Sequence, residues 1–504
     1  MGLDLLTLAF ERPAIDWHAI APELVLLTAG CLITLVDIVF LEKARPYTAA
    51  LAGIGLLATA VPLLTLAVEG TDRVMFDGAY VVDEFSLVMK ALFLLAGYVV
   101  VLLSTNYVAE GDYWENEYYG LLLASLMGMV MMASARDLVS IFVALELLSI
   151  PAYLLVAWRK RDLHSTEAGL KYYLMGVFAS AVMLYGMSLL YGVAGSTMLS
   201  DIGASLAAMG TSPAVVTMGI VFVVAGFAFK VSAAPFHTWA PDVYEGAPTP
   251  VTAFLSVASK AAGFVALLVF VFVGFYARSE VWEPLFWILA ALSMTVGNLV
   301  ALRQTNVVRL MAYSGIAQTG FMIAPLAVAG HGVVNGDQAL SAVVTYLVIY
   351  AAMNLGAFTV VIALARRSGS AEISSFNGAF QFAPGLTVAM SIFLFSLAGI
   401  PPLAGFLGKF YLFFAAIGAA PEAASWHDGF YWLVAFALIM SVVSLYYYLR
   451  VLKAFLVAPS DDGKAASIAP IKIGWAAGVT LCLLAIAVLA LGLWPEPLLN
   501  LLSD

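Results

Sequence analysis

The chain is 504 residues long, 63% hydrophobic and only 11% charged. Soluble domains carry about 25% charged residues, so a water-soluble globule is excluded and a polytopic helical membrane protein is implied. The net charge of −10 sits between apolar runs, and no basic patch offers a face to nucleic acid. Cys31 and Cys482 fall inside apolar runs and read as inert packing residues, with neither metal spacing nor a disulfide framework. Residues 1–20 lack the basic start and small-residue cleavage site of a signal peptide.

A bilayer crossing takes about 20 apolar residues. Fourteen candidate spans follow in order: 22–41, 47–69, 81–104, 118–134, 137–158, 167–194, 213–240, 248–275, 282–302, 305–329, 338–366, 384–418, 428–456 and 472–494. Span 12 is too long for one straight crossing and holds Gly399, Pro401 and Pro402, so it reads as a broken helix. Span 7 reads the same way through Pro235, and the chain then crosses a short polar loop at Asp242 and Glu245. Residues 196–209 read as a short surface element, and the longest polar stretches are 104–117 and 458–471.

The expected fold is therefore all-α, with about 14 transmembrane helices. The broken helices stand five spans apart. An odd five-helix unit re-enters the membrane from the opposite side, so spans 4–8 and 9–13 read as inverted repeats. The implied divisions are 1–117 for the first three spans, 118–275 and 276–456 for the repeats, and 457–504 for a terminal helix. Thirteen loop lysines and arginines, from Lys43 to Lys472, face one side, against Arg12, Arg73, Arg136 and Arg278 on the other. The richer side is expected to be cytoplasmic, with both termini outside the plasma membrane.

Five lysines remain inside spans: Lys90, Lys171, Lys230, Lys260 and Lys409. Each deep lysine costs about 2.5–3.5 kcal/mol on insertion scales, so it calls for a partner or a function. Glu146 lies about ten residues into span 5, near mid-membrane at ~1.5 Å per residue. It is either an isolated acid kept neutral or tilted to headgroups, or the ion-pair partner of Lys230 or another lysine. Lys260 is equally deep, flanked by Ser256 and Ser259, and Lys409 follows the second break. For both, snorkelling competes with function and depth disfavours it. Lys171 lies barely a turn inside span 6, where snorkelling competes on equal terms. Lys90 and Glu84 are six apart and need not pair, so Lys90 stays open.

His237 follows Pro235 by two residues and titrates near neutrality, so it reads as a proton relay or as a packed residue at the break. His331 and His427 read as solvated in outer loops. Tyr446, Tyr447 and Tyr448 read as an aromatic belt or as part of a hydrogen-bonded path. No P-loop, dinucleotide fingerprint, HExxH, CxxC or pair of deep histidines occurs, so the chain itself is not expected to bind NADH, FMN or an iron–sulfur cluster.

Taken together, ALELLSIPAYLLVAW at 144–158, GLKYYLMG at 169–176 and FKVSAAPFHTWAPDVYEGAPTPVTAFLSVASKAAGF at 229–264 form a pattern. It continues in GNLVALRQTNVVRLMAYSGIAQTGFM at 297–322, SLAGIPPLAGFLGKFYLF at 396–413 and SLYYYLR at 444–450. The pattern resembles the antiporter-like, proton-translocating membrane subunits of respiratory complex I and covers nearly the whole chain. The resemblance implies that Glu146 and Lys230 are partners, that Lys260 is the central lysine, and that Lys409, Lys171 and His237 belong to the same proton relay. It further implies sister antiporter-like subunits and small membrane subunits as partners. NADH oxidation and quinone reduction would occur elsewhere in the complex. Two other readings stay open: a subunit of a multi-subunit cation/proton antiporter, and a membrane scaffold that moves no proton.

Overall fold

The computed structural model describes residues 14–40, 45–109, 115–210, 212–330, 333–418, 429–457, 474–496 and 499. Arg12, Lys43, His331, His427, Lys464 and Lys472 lie outside the described residues. The first helices are α1 (Ala21–Phe40), α2 (Arg45–Glu69), α3 (Glu84–Ala109), α4 (Glu115–Ser134), α5 (Leu138–Val156) and α6 (Leu163–Ala194). Capping sets several ends. The Asp137 carboxylate accepts from Ser140 N at 2.9 Å to start α5, and Asp162 caps α6 through His164 N at 3.0 Å. Gly195, at φ 70°, turns α6 off in a conformation that side chains resist.

A hairpin not foreseen from the apolar pattern joins α2 to α3. Strands β1 (Arg73–Met75) and β2 (Tyr80–Val82) pair antiparallel with Val74 opposite Val81. Tyr80 also bridges to Ala135, which ties the hairpin to the α4–α5 joint. The surface element expected at 196–209 is α7 (Leu199–Ala208).

The first break lies where Pro235 places it. Helix α8 (Ala214–Lys230) stops, and eight residues follow before α9 (Trp239–Gly246). The polar loop expected at Asp242 and Glu245 is instead this short helix. Its Trp239, Val243 and Tyr244 are buried while Asp242 and Glu245 stay at the surface, so amphipathic spacing holds the turn. Next comes one long rod, Thr249–Gly274. It consists of α10 (Thr249–Phe254), a π turn at Leu255–Ser259, α11 (Lys260–Val269) and a second π turn at Phe270–Gly274.

Helices α12 (Ser279–Ala301), α13 (Val307–Ile323) and α14 (Val333–Ser368) follow, then the single turn α15 (Ala379–Phe382). The second break separates α16 (Pro384–Ala398) from α17 (Ala404–Gly418). Gly399, at φ 89°, ends α16. Helices α18 (Gly429–Leu456) and α19 (Trp475–Leu493) complete the chain.

Twelve of the described helices are long and apolar enough to cross a membrane. The two broken regions contribute the shorter apolar helices Ala214–Lys230, Pro384–Ala398 and Ala404–Ile417. Burial does not follow apolarity as it does in a soluble protein. Helix α13, among the least apolar, has 94% of its span buried, whereas the strongly apolar α1 has 17% and α19 22%. Ser314, Gln318 and Thr319 of α13 are all buried. The outer helices present Leu, Ile and Phe to the bilayer, and the inner ones keep polar groups away from it. Cys31 and Cys482 follow this rule: both are exposed on outer helices, not packed inside as expected.

Candidate functional site

Ending a helix inside a bundle frees backbone groups that need new partners. At the first break, Phe229 O accepts from the Trp239 indole at 3.0 Å and Val231 O from the Thr319 hydroxyl at 2.8 Å. The Ala234 amide donates to Ser293 Oγ at 2.8 Å. At the second, Leu397 O accepts from Gln318 Nε2 at 3.1 Å, and the Gly405 amide donates to Ser396 Oγ at 2.9 Å. Ala398 O accepts from the Lys409 ammonium at 3.2 Å.

The three deep lysines sit at these irregularities, each almost wholly buried. Lys230 closes α8. Its Nζ donates to Ser149 Oγ at 2.9 Å and to the Tyr172 hydroxyl at 3.5 Å. Lys260 directly follows the π turn. Its Nζ donates to Gly315 O at 2.7 Å and to Thr319 Oγ1 at 3.1 Å, with the Tyr350 ring 5.8 Å away. Lys409 also donates to Ser441 Oγ at 3.0 Å and lies over the Phe321 ring at 4.6 Å. None of the three touches a carboxylate among the described residues. Hydroxyls, carbonyls and ring faces hold them, and π turns commonly mark functional sites.

Glu146 and Lys230 make no direct ion pair. The Glu146 carboxylate accepts from Ser180 Oγ at 2.6 Å. Ser149, one turn along the same helix, takes the ammonium instead. The two charges remain within electrostatic reach of one another. A helix spacing of three residues explains the geometry: Glu146 and Ser149 share a face, and the shorter side chain lies nearer Lys230.

A polar cluster missed by attention to ionisable residues adjoins the Lys260 site, because Gln318 stands next to Thr319 on α13, and its amide reaches the second break at Leu397 O. Tyr346 OH donates to Gln318 Oε1 at 2.6 Å, and Gln318 Nε2 also reaches Tyr448 OH at 3.4 Å. Ser314 Oγ meets Tyr448 OH at 2.5 Å, and Tyr447 OH donates to Asn298 Oδ1 at 3.1 Å. Tyr447 and Tyr448 are therefore inside the bundle, while Tyr446 is exposed in the manner of a belt. The signal was present in the run AQTG at 317–320, where amide and hydroxyl side chains interrupt an apolar helix.

Lys171 stands apart from this line. It pairs with Glu167 at 2.7 Å and Asp242 at 2.9 Å at a half-exposed end of the bundle. Arg309 grips Asp242 at 2.9 Å and Glu245 at 2.8 Å. The cluster lines a cavity of about 320 Å³ together with Arg159, Asp162 and His164. Burial alone would raise the Asp242 carboxyl, but hydrogen bonds from Lys171 and Arg309 bring it below its usual range. His237 lies in the first break with its ring 6.5 Å from that of Tyr313, and its Nδ1 is buried with no hydrogen-bond partner among the described residues. Lys90, left open by its sequence context, is fully buried and pairs with Glu23 of α1 at 2.7 Å. Among the described residues, no group of three His, Cys, Asp or Glu side chains is placed to hold a metal.

Comparison with known proteins places residues 135–444 in the family described as NADH:quinone oxidoreductase/Mrp antiporter, transmembrane. NAD(P)H-quinone oxidoreductase subunit 2 of Synechococcus elongatus is 41% identical, covering 99% of this chain and 94% of the relative. NADH-quinone oxidoreductase subunit N of Desulforamulus reducens is also 41% identical, covering 96% of each. A chain of respiratory complex I from Thermus thermophilus, solved with bound aureothin, superposes with a TM-score of 0.76 at 32% identity. That match covers 95% of this chain and 98% of the other.

Proposed function

This chain belongs to the NADH:quinone oxidoreductase/Mrp antiporter membrane family, and from that membership we propose that it is the proton-translocating subunit N of a bacterial NADH–quinone oxidoreductase. The observation that carries the mechanism is the seating of Lys230, Lys260 and Lys409. Three buried ammonium groups rest on neutral oxygens, with a cluster of hydroxyls and one amide beside Thr319. Such a group can lose its proton without stranding a bare carboxylate against it. Glu146 biases Lys230 through its field, and movement of that bias sends a proton along Thr319, Gln318 and Tyr448 towards Lys409. Lys171, with Asp242 and Arg309, forms the mouth on the cytoplasmic side, and His237 lies beside the first break as a relay between them. Sister antiporter-like subunits and small membrane subunits flank the chain. NADH, FMN, iron–sulfur clusters and quinone are handled by partner subunits, which supply the energy through conformation or charge displacement.

Counting each broken pair as one crossing, the chain crosses the plasma membrane fourteen times as two inverted five-helix repeats, with both termini outside. Lys230→Ala, Lys260→Ala and Glu146→Ala are expected to depress coupled quinone reduction and pumping, while NADH oxidation by artificial acceptors continues. Glu146→Asp is expected to be milder. If all three alanine variants assemble and pump like the parent, the lysine line is structural. Co-purification with antiporter subunits, and with no iron–sulfur partner, would move the chain to the other branch of its family.

A further inference from the structure

A separate buried charge site lies outside the lysine line and outside residues 135–444. Lys90 of α3 is fully buried and Glu23 of α1 nearly so. The Glu23 Oε1 atom takes both available donors, Lys90 Nζ at 2.7 Å and Tyr80 OH at 2.5 Å. Lys90 also donates to the Tyr80 oxygen at 3.0 Å. Glu23 Oε2 is buried and takes no hydrogen bond among the described residues. The facing charges are Asp83 and Arg136, already joined to each other at 2.8 Å.

A pair kept only to pin helices would satisfy both carboxylate oxygens, since a bare buried oxygen is disfavoured. Here both donors share one oxygen, and a phenol bridges acid and amine. We propose that Glu23, Tyr80 and Lys90 form a second proton-binding site in which the bare Glu23 Oε2 takes the proton, loaded as carboxylic acid with ammonium and unloaded as carboxylate with ammonium. The proton passes to water at the end of the molecule where the hairpin lies. The Asp83–Arg136 pair stays charged throughout. Because α3 packs on the π turn that precedes Lys260, the state of this site reaches the central lysine through direct helix contact.

The inference rests on the translocation reading, and its test separates the two. The probe is the double variant Glu23→Gln with Lys90→Met, which removes both charges and leaves none unpaired, studied in the whole complex in vesicles. The expected result is normal assembly, continued electron transfer, fewer protons moved per electron, and loss of one titration from the pH profile of turnover. Lys260→Met serves as the control and is expected to lose pumping. A double variant that pumps with the parent's ratio and pH profile overturns the site while Lys260→Met still fails. If Lys260→Met also pumps normally, it is the translocation reading that falls. Failure of the double variant to assemble, with Tyr80→Phe pumping as the parent does, makes the pair a structural pin and overturns the proposal.

Discussion

A methyl group added at Gly315 would lie 3.1 Å from the Lys260 ammonium and 3.2 Å from the Tyr350 hydroxyl. Both neighbours would have to give by a few tenths of an ångström. Gly263 stands in the same relation to Lys230, 3.0 Å from its Cγ, and Gly399 to Lys409, 3.1 Å from its Cδ. Lys230, Lys260 and Lys409 are thus each seated against a glycine. Gly315→Ala is expected to keep or raise stability, since alanine favours a helix by about 0.5–1 kcal/mol, while pumping falls. Thermal unfolding and proton counting on the same preparation check this. Gly405 is the contrast, because its added carbon would meet Ser396 O at 1.8 Å. Gly405→Ala is expected to destabilise by about 3 kcal/mol or more, read as lost assembly. Sequence reasoning found the lysines because a charge in an apolar run is conspicuous. It could not find their glycines, since a glycine looks alike in sequence whether it faces lipid or a lysine side chain.

At the scale of elements, prolines announced both breaks, but not what repairs them. Thr319 and Gln318, neighbours on α13, serve one break each. Thr319→Val and Gln318→Leu each leave a buried carbonyl short of a donor, at an expected loss of about 1–3 kcal/mol. Faster hydrogen exchange is expected near residues 231–236 in the first and near 397–403 in the second. Helix α9 was hidden because Asp242 and Glu245 look like loop residues until Val243 and Tyr244 are seen as one buried stripe. Asp242→Asn is expected to loosen α9 from Arg309 and Lys171. The sign of its pH dependence follows from the lowered carboxyl. The stabilisation is present above the unfolded carboxyl range and lost as pH falls through the lowered value. The difference from the parent is therefore expected to be constant around neutrality and to vanish in acid, as a stability titration would record. Surface pairs of this kind contribute about 0–1 kcal/mol each, so the effect is modest.

For the whole molecule, length and apolarity located inner and outer spans alike but could not say which face lipid. Apolarity alone did not separate them: Thr249–Gly274 and Gly336–Ser368 are as apolar as α1 yet 89% buried against its 17%. Helix α13, which serves both breaks, is near the lower limit of apolarity for a span. The Glu23–Lys90 pair was invisible because its members stand far apart in the chain, and an acid in the first turn reads as ordinary dipole matching. Orientation is tested by single cysteines introduced after Cys31→Ala and Cys482→Ala. An impermeant reagent applied outside is expected to label Asp201→Cys and to spare Lys160→Cys until the membrane is permeabilised. The reverse pattern would invert the topology and the repeat assignment with it.

Helix α13 has a further consequence. Two adjacent residues of one rigid rod hold the two interrupted helices, so the breaks share a single mechanical element. Linkage then requires reciprocity: whatever a proton at Lys230 does to the free energy at Lys409, a proton at Lys409 does equally at Lys230. Such a device has no built-in forward direction. A gradient imposed from the membrane side would drive it backwards, and the direction of net transport is set by which of the coupled partners holds more free energy.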